Sequence, residues 1–192
     1  VSVPYADKMI TEITCHAMGA VWIFDNKDMT IIDIGGQDTK IICVEQGFVK
    51  DFMMNDKCSA GTGRFLEIMA NTLSMRPNEM CELAREGSGV TISSMCTVFA
   101  ESEVISLIGQ GEKKENIAFA VVDSIVRKVA AQANRMSEDR PMLCLTGGLC
   151  ECSYISEALT KELGMEVKTD PQSRYAGAIG AALGAVKKGK KN

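Results

Sequence analysis

Two kinds of residue in this chain have the types and spacing for chemistry: glycine pairs that close strands, and cysteines in loops of small residues. Asp33, Gly35, Gly36, Gln37 and Asp38 follow the β-branched, apolar run 30–34. The two glycines let the backbone turn tightly and bring its N–H groups up to an anion with no Cβ in the way. A second pair, Thr146-Gly147-Gly148, ends the apolar run 141–145. Turns at the carboxyl ends of strands in an open α/β sheet are where nucleotides commonly lie. An ordinary strand-to-helix turn accounts for either pair equally well on the residues alone. Cys58 stands in the loop 55–63, just before a helical pattern over 64–73. The positive end of a helix there favours a thiolate or an anionic cluster.

The other cysteines read more plainly, because an isolated cysteine is most often a small buried residue. Cys43 and Cys144 lie in apolar strands and belong to the core, and Cys81 packs on a short helix. Cys150 and Cys152 form a C-x-C at a helix start; packing ranks above metal binding, since no partner ligands accompany them. Cys15 and His16 are neighbours on a helix and point in different directions, one packed and one partly exposed.

These residues need elements to hold them. Apolar spacing predicts a helix over 6–24, with Met9, Ile10, Ile13, Ala17 and Ala20 on one face and an end near Gly19. A strand over 30–34 follows, then strands over 40–45 and 48–54 joined across Gln46-Gly47. Helices are expected over 64–73, 77–86 from Pro77, 100–108 and 117–136, with an extended or loop segment over 91–99. A strand over 141–145, a helix over 151–163, a strand over 166–169 and a small-residue helix over 174–187 complete the chain. In the last helix Gly180 and Gly184 share a face that allows close helix packing.

The totals narrow the field. Lys+Arg 21 against Asp+Glu 25 gives a net charge of −4, and the basic residues cluster only in the tail 187–191, which reads as a solvated end. Nucleic acid is therefore not the expected partner. Eight cysteines without a secretory leader indicate a reducing, cytoplasmic setting. The longest apolar run, 175–186, falls short of the ~20 residues that cross a bilayer, so no membrane association is expected. A chain of 192 residues with 46% hydrophobic content buries one good core or two small ones.

Taken together, the two glycine-pair turns and the late small-residue helix resemble the acetate and sugar kinase, Hsp70 and actin superfamily. The stretches NDKCSAGTGRFLE and SSMCTVFAESEVISL are similar to those of one branch, the activator ATPases (component A) of 2-hydroxyacyl-CoA dehydratases, relatives of the ATPase subunits of benzoyl-CoA reductase. The resemblance runs from about residue 5 to 186. It implies an α/β fold: a ribonuclease H-like, actin-like ATPase lobe with a mixed sheet and flanking helices. It further implies an ATP-driven electron donor, a homodimer sharing one four-iron four-sulfur (4Fe-4S) cluster with two thiolates from each subunit. Reduced ferredoxin or flavodoxin would be the donor, and a dehydratase or reductase the acceptor.

Carried over by position, the cluster ligands are Cys58 and Cys96. Asp33 would hold Mg²⁺ through water and Gln37 would orient the attacking water, with Gly35, Gly36 and Asp38 at the phosphates. Thr146, Gly147 and Gly148 would contact the adenosine of ATP or ADP, and Gly61, Thr62 and Gly63 would aim the following helix at the cluster. A cubane needs four thiolates, and neither Cys58 nor Cys96 lies in a C-x-x-C run that could hold it in one chain; a two-fold axis supplies the rest.

The chain departs from the family in one respect. No Asp-x-Gly-Ser loop with a nearby lysine precedes Asp33. The expectation is a C-terminal portion: 1–29 as helix and turn of the first lobe, 30–171 as the second lobe with phosphate loop and cluster cysteines, 172–192 as a helix returning to the first lobe. Two other readings remain at this point. A small-molecule kinase of the same superfamily would need a catalytic carboxylate at the γ-phosphate, and Gln37 is a poor base. A non-catalytic dimerising nucleotide-fold module would bind no Mg-ADP.

Overall fold

The computed structural model describes residues 9–94, 96–136 and 141–186. Its centre is a five-stranded sheet in the order β3-β2-β1-β4-β5, built from β1 (Met29–Ile34), β2 (Thr39–Glu45), β3 (Phe48–Asn55), β4 (Leu143–Thr146) and β5 (Val167–Lys168). β1 runs antiparallel to β2 and parallel to β4, so the sheet is mixed. This is the ribonuclease H-like arrangement that the resemblance implied.

Gln46 and Gly47 close the hairpin with φ of 53° and 82°. Two consecutive left-handed residues match the right-handed twist of the flanking strands, as expected for a two-residue hairpin turn. Every residue of β1 is buried, because helices cover both faces of the sheet. On one face Ile32, Ile34, Ile41 and Leu145 pack with Ile117, Val121, Ile125 and Val129 of the long helix α5 (Lys114–Met136). Around α5 lie α2 (Gly63–Thr72), α3 (Pro77–Ala84), α4 (Thr97–Gly109) and α6 (Ser153–Leu163). On the other face Met29, Ile31, Ile42 and Cys144 meet Ala17 and Ala20 of α1 (Glu12–Phe24). Alternate strand residues thus serve opposite cores.

The C-terminal α7 (Ala176–Val186) packs on α1, and the small residues explain how closely. A Cβ on Gly180 would stand 1.7 Å from the carbonyl oxygen of Cys15, and one on Gly19 would stand 1.8 Å from that of Ala176. Gly180 and Gly184 therefore do what their spacing predicted.

Several local expectations change. α1 does not end near Gly19 but runs to Phe24, since that glycine is a packing site rather than a cap. Met9, expected on the buried face, precedes the helix and is 65% exposed. Residues 97–99, read as extended or loop, already form the first turn of α4, whose N-cap is Cys96. The helix expected over 151–163 begins instead as a short 3₁₀ turn, Gly148–Glu151, before α6. A second such turn, Ser173–Tyr175, precedes α7. Cys43 is half-buried rather than core, whereas Cys81, Cys144, Cys150 and Cys152 are buried as expected. The start of the helix placed over 6–24 and the tail lysines lie outside the described residues.

The α1–α7 contact generates a prediction. Gly180→Ala forces backbone apart and should cost about 3 kcal/mol, the upper end of ordinary overpacking. Thermal unfolding should show a midpoint lowered by roughly 6–12 °C; an unchanged midpoint would mean the helices are not held this closely.

Candidate functional site

Strand register assembles the first part of the site. Asp33, next to last in β1, pairs across with Lys40 of β2 on one side and with Thr146 of β4 on the other. Its carboxylate is buried. Thr146 Oγ1 donates to Oδ1 at 3.1 Å, Lys40 Nζ lies 3.3 Å from Oδ2, and His16 Nε2 of α1 lies 3.1 Å from Oδ1. Lys40 is itself buried and also reaches Asp38 at 2.8 Å and Glu12 at 2.9 Å. Burial alone would raise the Asp33 carboxyl, but the hydrogen bond and charge of His16, the Lys40 cation and the Thr146 hydroxyl hold it below the usual carboxylate range. Burial likewise opposes the Lys40 charge, and its bonds to Asp38 and Glu12 with the charge of Asp33 push its pKa up instead.

The phosphate-type loop lies above this network. Gly35 N–H donates to the Asp38 carbonyl, closing the turn, and Gln37 points outward from an exposed position. Gly147 has φ of 81°, and a Cβ there would stand 2.5 Å from the Ile34 carbonyl oxygen and 2.6 Å from Asp33 Oδ1. Only glycine lets the β4 turn come this close to β1. Gly36 and Gly148, by contrast, both face open space. They border a cavity of about 450 Å³ that also reaches Gly35, Gln37 and Arg64. Arg76, Pro77, Gly148 and Leu149 line this cavity and a larger one of about 1010 Å³ beside α3. The two form one cleft running from the Gly35-Gly36 turn along Gly148. Cys81 and Cys152 stand in the wall of the larger part; their mutual hydrogen bond lowers the Cys152 thiol pKa and raises that of Cys81.

The two cysteine loops meet each other. Cys58 is half-buried and Cys96 is exposed. The residues that follow them, Ser59 and Thr97, share a hydroxyl hydrogen bond of 2.7 Å. Asn55 Nδ2 holds the first loop by donating to the Cys58 carbonyl at 2.9 Å and the Ala60 carbonyl at 3.3 Å. Cys96 caps α4, whose exposed face carries Val98, Phe99, Ile105 and Ile108. The helix after Cys58 begins at Gly63, one residue before the expected start, with Thr62 as its N-cap. Its first N–H groups are not free for an anion: Gly63 N–H donates to Gly35 O at 2.9 Å and Arg64 N–H to Gly36 O at 2.8 Å. Thr39 Oγ1 adds a bond to Gly61 O at 2.7 Å. The segment after Cys58 is therefore bound to the phosphate-type loop itself. Among the described residues no group of three or more His, Cys, Asp or Glu side chains could hold a metal ion.

The structure thus brings Asp33, Asp38 and Thr146 into one network, sets Gly35, Gly36, Gln37 and Gly148 along one cleft, and joins the loops of Cys58 and Cys96. Sequence reasoning passed over His16, Lys40 and Glu12. Lys40 had a signal, since the short turn 35–38 between antiparallel strands puts it opposite Asp33. His16 and Glu12 had none, because only the docking of α1 on the sheet brings them there.

A mixed sheet of this order, with a glycine turn after β1 and a cleft reaching the turn after β4, defines an actin-like ATPase lobe. Residues 1–185 match the BadF/BadG/BcrA/BcrD ATPase family, and the chain belongs to that family. It superposes on the crystal structure of component A of the (R)-2-hydroxyglutaryl-CoA dehydratase of Acidaminococcus fermentans with a TM-score of 0.91 at 48% identity, covering 97% of this chain and 71% of the other. The ADPNP-bound activator of the 2-hydroxyisocaproyl-CoA dehydratase from Clostridium difficile matches with a TM-score of 0.89 at 38% identity, over 99% of this chain and 73% of that one. A subunit of the benzoyl-CoA reductase of Thauera aromatica is 32% identical over 183 residues, 89% of this chain and 63% of that protein. No helix among the described residues is long and apolar enough to cross a membrane.

The buried charge network predicts the effect of acid. Because the Asp33 carboxyl sits below its ordinary value, its stabilisation is complete above about pH 4 and is lost as pH falls through the lowered folded value. Lys40→Met leaves Asp33 with less compensation and should cost about 3–5 kcal/mol. Its acid-unfolding midpoint, followed by circular dichroism, should move to higher pH; a midpoint at the wild-type pH would remove Lys40 from the network.

Proposed function

We propose that this chain is the nucleotide- and cluster-binding part of an ATP-driven activator that delivers a low-potential electron to a 2-hydroxyacyl-CoA dehydratase or benzoyl-CoA reductase type enzyme. The observation that carries this reading is the bonding of Gly63 and Arg64 N–H to the Gly35 and Gly36 carbonyls, which ties the phosphate-type loop to the segment after Cys58. The activators among its relatives support it.

In this reading ATP lies along the cleft, its phosphates at Gly35, Gly36 and Asp38 and its adenosine along the turn Thr146-Gly147-Gly148, where Gly148 faces the cleft and the buried Thr146 and Gly147 hold the turn from beneath. Gln37, exposed at the cleft, orients the attacking water. Asp33 is the residue to hold Mg²⁺ through water. A carboxylate offers about four acceptor positions; His16, Thr146 and Lys40 use three of them, which leaves one acceptor position unused.

Cys58 and Cys96 are the ligands of the 4Fe-4S cluster. Neither sulfur is sealed in the core, and their loops are joined, so one edge of the molecule offers two thiolates. A homodimer completes the set of four, and the exposed apolar face of α4 beside Cys96 suits such a contact. When bound, the cluster supplies a one-electron couple, charged by reduced ferredoxin or flavodoxin in the cytoplasm. Residues 30–171 then act as the second lobe, with 1–29 and 172–192 belonging to the first. Lobe closure on ATP would pull on Gly35 and Gly36, and through them on the Cys58 loop.

Two measurements check this. Anaerobic reconstitution with iron and sulfide should yield about four irons per dimer, and either Cys58→Ser or Cys96→Ser should abolish uptake; full clusters in both variants would end the assignment. Gly148→Val puts a branched side chain into the cleft and should weaken Mg-ADP binding in calorimetry by more than ~10-fold, about 1.4 kcal/mol. Wild-type affinity in that variant would place the nucleotide elsewhere.

A further inference from the structure

Lys128 stands out among the cations of this chain for what lies near it. It projects half-buried from α5, the helix whose opposite side forms the main core. Its stem lies over Gly61, where an added Cβ would come within 3.1 Å of Lys128 Cδ. Gly61 has φ of 84°, so glycine meets both the backbone requirement and the space left by the lysine. The ammonium then reaches the sulfur of Cys58, with Nζ to Sγ 3.6 Å. Among the described residues no carboxylate lies within ion-pair distance of Lys128, and the neighbouring Asp123 is taken by Arg127. A partly desolvated ammonium needs an anion or a strong acceptor, and the group in front of it is a thiol.

We infer that Lys128 is a positioning residue that sets the reduction potential of the cluster held by Cys58. This rests on the cluster reading proposed above and adds to it a determinant outside the ligand set. A cluster with four thiolate ligands is anionic and gains a further negative charge on accepting an electron, so a fixed cation beside a ligand sulfur favours the reduced form. The two-fold axis provides two such lysines, one at each Cys58. Lys128 thereby makes the cluster easier to charge. Because its stem also covers Gly61, any shift of residues 58–64 changes the distance between ammonium and sulfur.

Lys128→Met keeps the unbranched stem over Gly61 and removes the charge, while Lys128→Arg keeps the charge. The reconstituted wild type and both variants are titrated electrochemically, with the reduced cluster read by electron paramagnetic resonance. The Met variant should show a midpoint lower by about 59 mV or more, equal to a tenfold smaller reduced-to-oxidised ratio at the wild-type midpoint. The Arg variant should stay near the wild type. Should the Met variant not fold, Lys128→Gln serves as the neutral variant with the same expectation. A neutral variant with full iron content and a wild-type midpoint would overturn the inference. A wild-type protein that takes up no iron would instead remove the cluster reading, and this inference with it.

Discussion

The structure depends on where two backbone N–H groups go. The first turn of a helix leaves its N–H groups without intrahelical partners, and in α2 those of Gly63 and Arg64 are bound by the carbonyls of Gly35 and Gly36. A loop suited to phosphates and a loop suited to a metal thiolate become one mechanical unit. The Thr39 hydroxyl bond to Gly61 reinforces the join from β2, and a Cβ on Gly63 would stand 3.2 Å from Gly35 O and 3.3 Å from Gly36 Cα. These bonds are the route by which a displacement of the glycine turn would act on the cysteine segment.

Beneath that unit lies a charge arrangement that fixes its base. Asp33 is held from three elements, α1 through His16, β2 through Lys40 and β4 through Thr146. Each partner offsets part of the desolvation that burial imposes on the carboxylate. Lys40 also reaches Glu12 of α1, so the helix packed on α7 and the strand that leads out of the glycine turn share one cation. Any movement of α1 relative to the sheet is therefore felt at Asp33 and Lys40, next to the cleft.

Much of this was legible in the sequence, for identifiable reasons. The Gln46-Gly47 hairpin, the long core helix and the close approach signalled by Gly180 and Gly184 each follow from local steric rules, and each is present. The two glycine turns and the cysteine stretches pointed to the family to which the chain belongs. Local pattern failed where tertiary contact overrides it: Gly19 looked like a helix end and is a contact point, and Cys58 looked adjacent to a helix terminus whose N–H groups are already taken. His16 looked unremarkable because nothing on α1 indicates which strand it faces. The charge network is written in strand register and helix docking, not in any one stretch.

Amide hydrogen exchange with and without Mg-ADP reports whether the Cys58 loop answers to the phosphate-type loop through Gly63 and Arg64. Nucleotide should change the protection of residues 59–64 together with that of residues 35–38. A change confined to residues 35–38 and the turn after β4, with 59–64 exchanging as before, would contradict it.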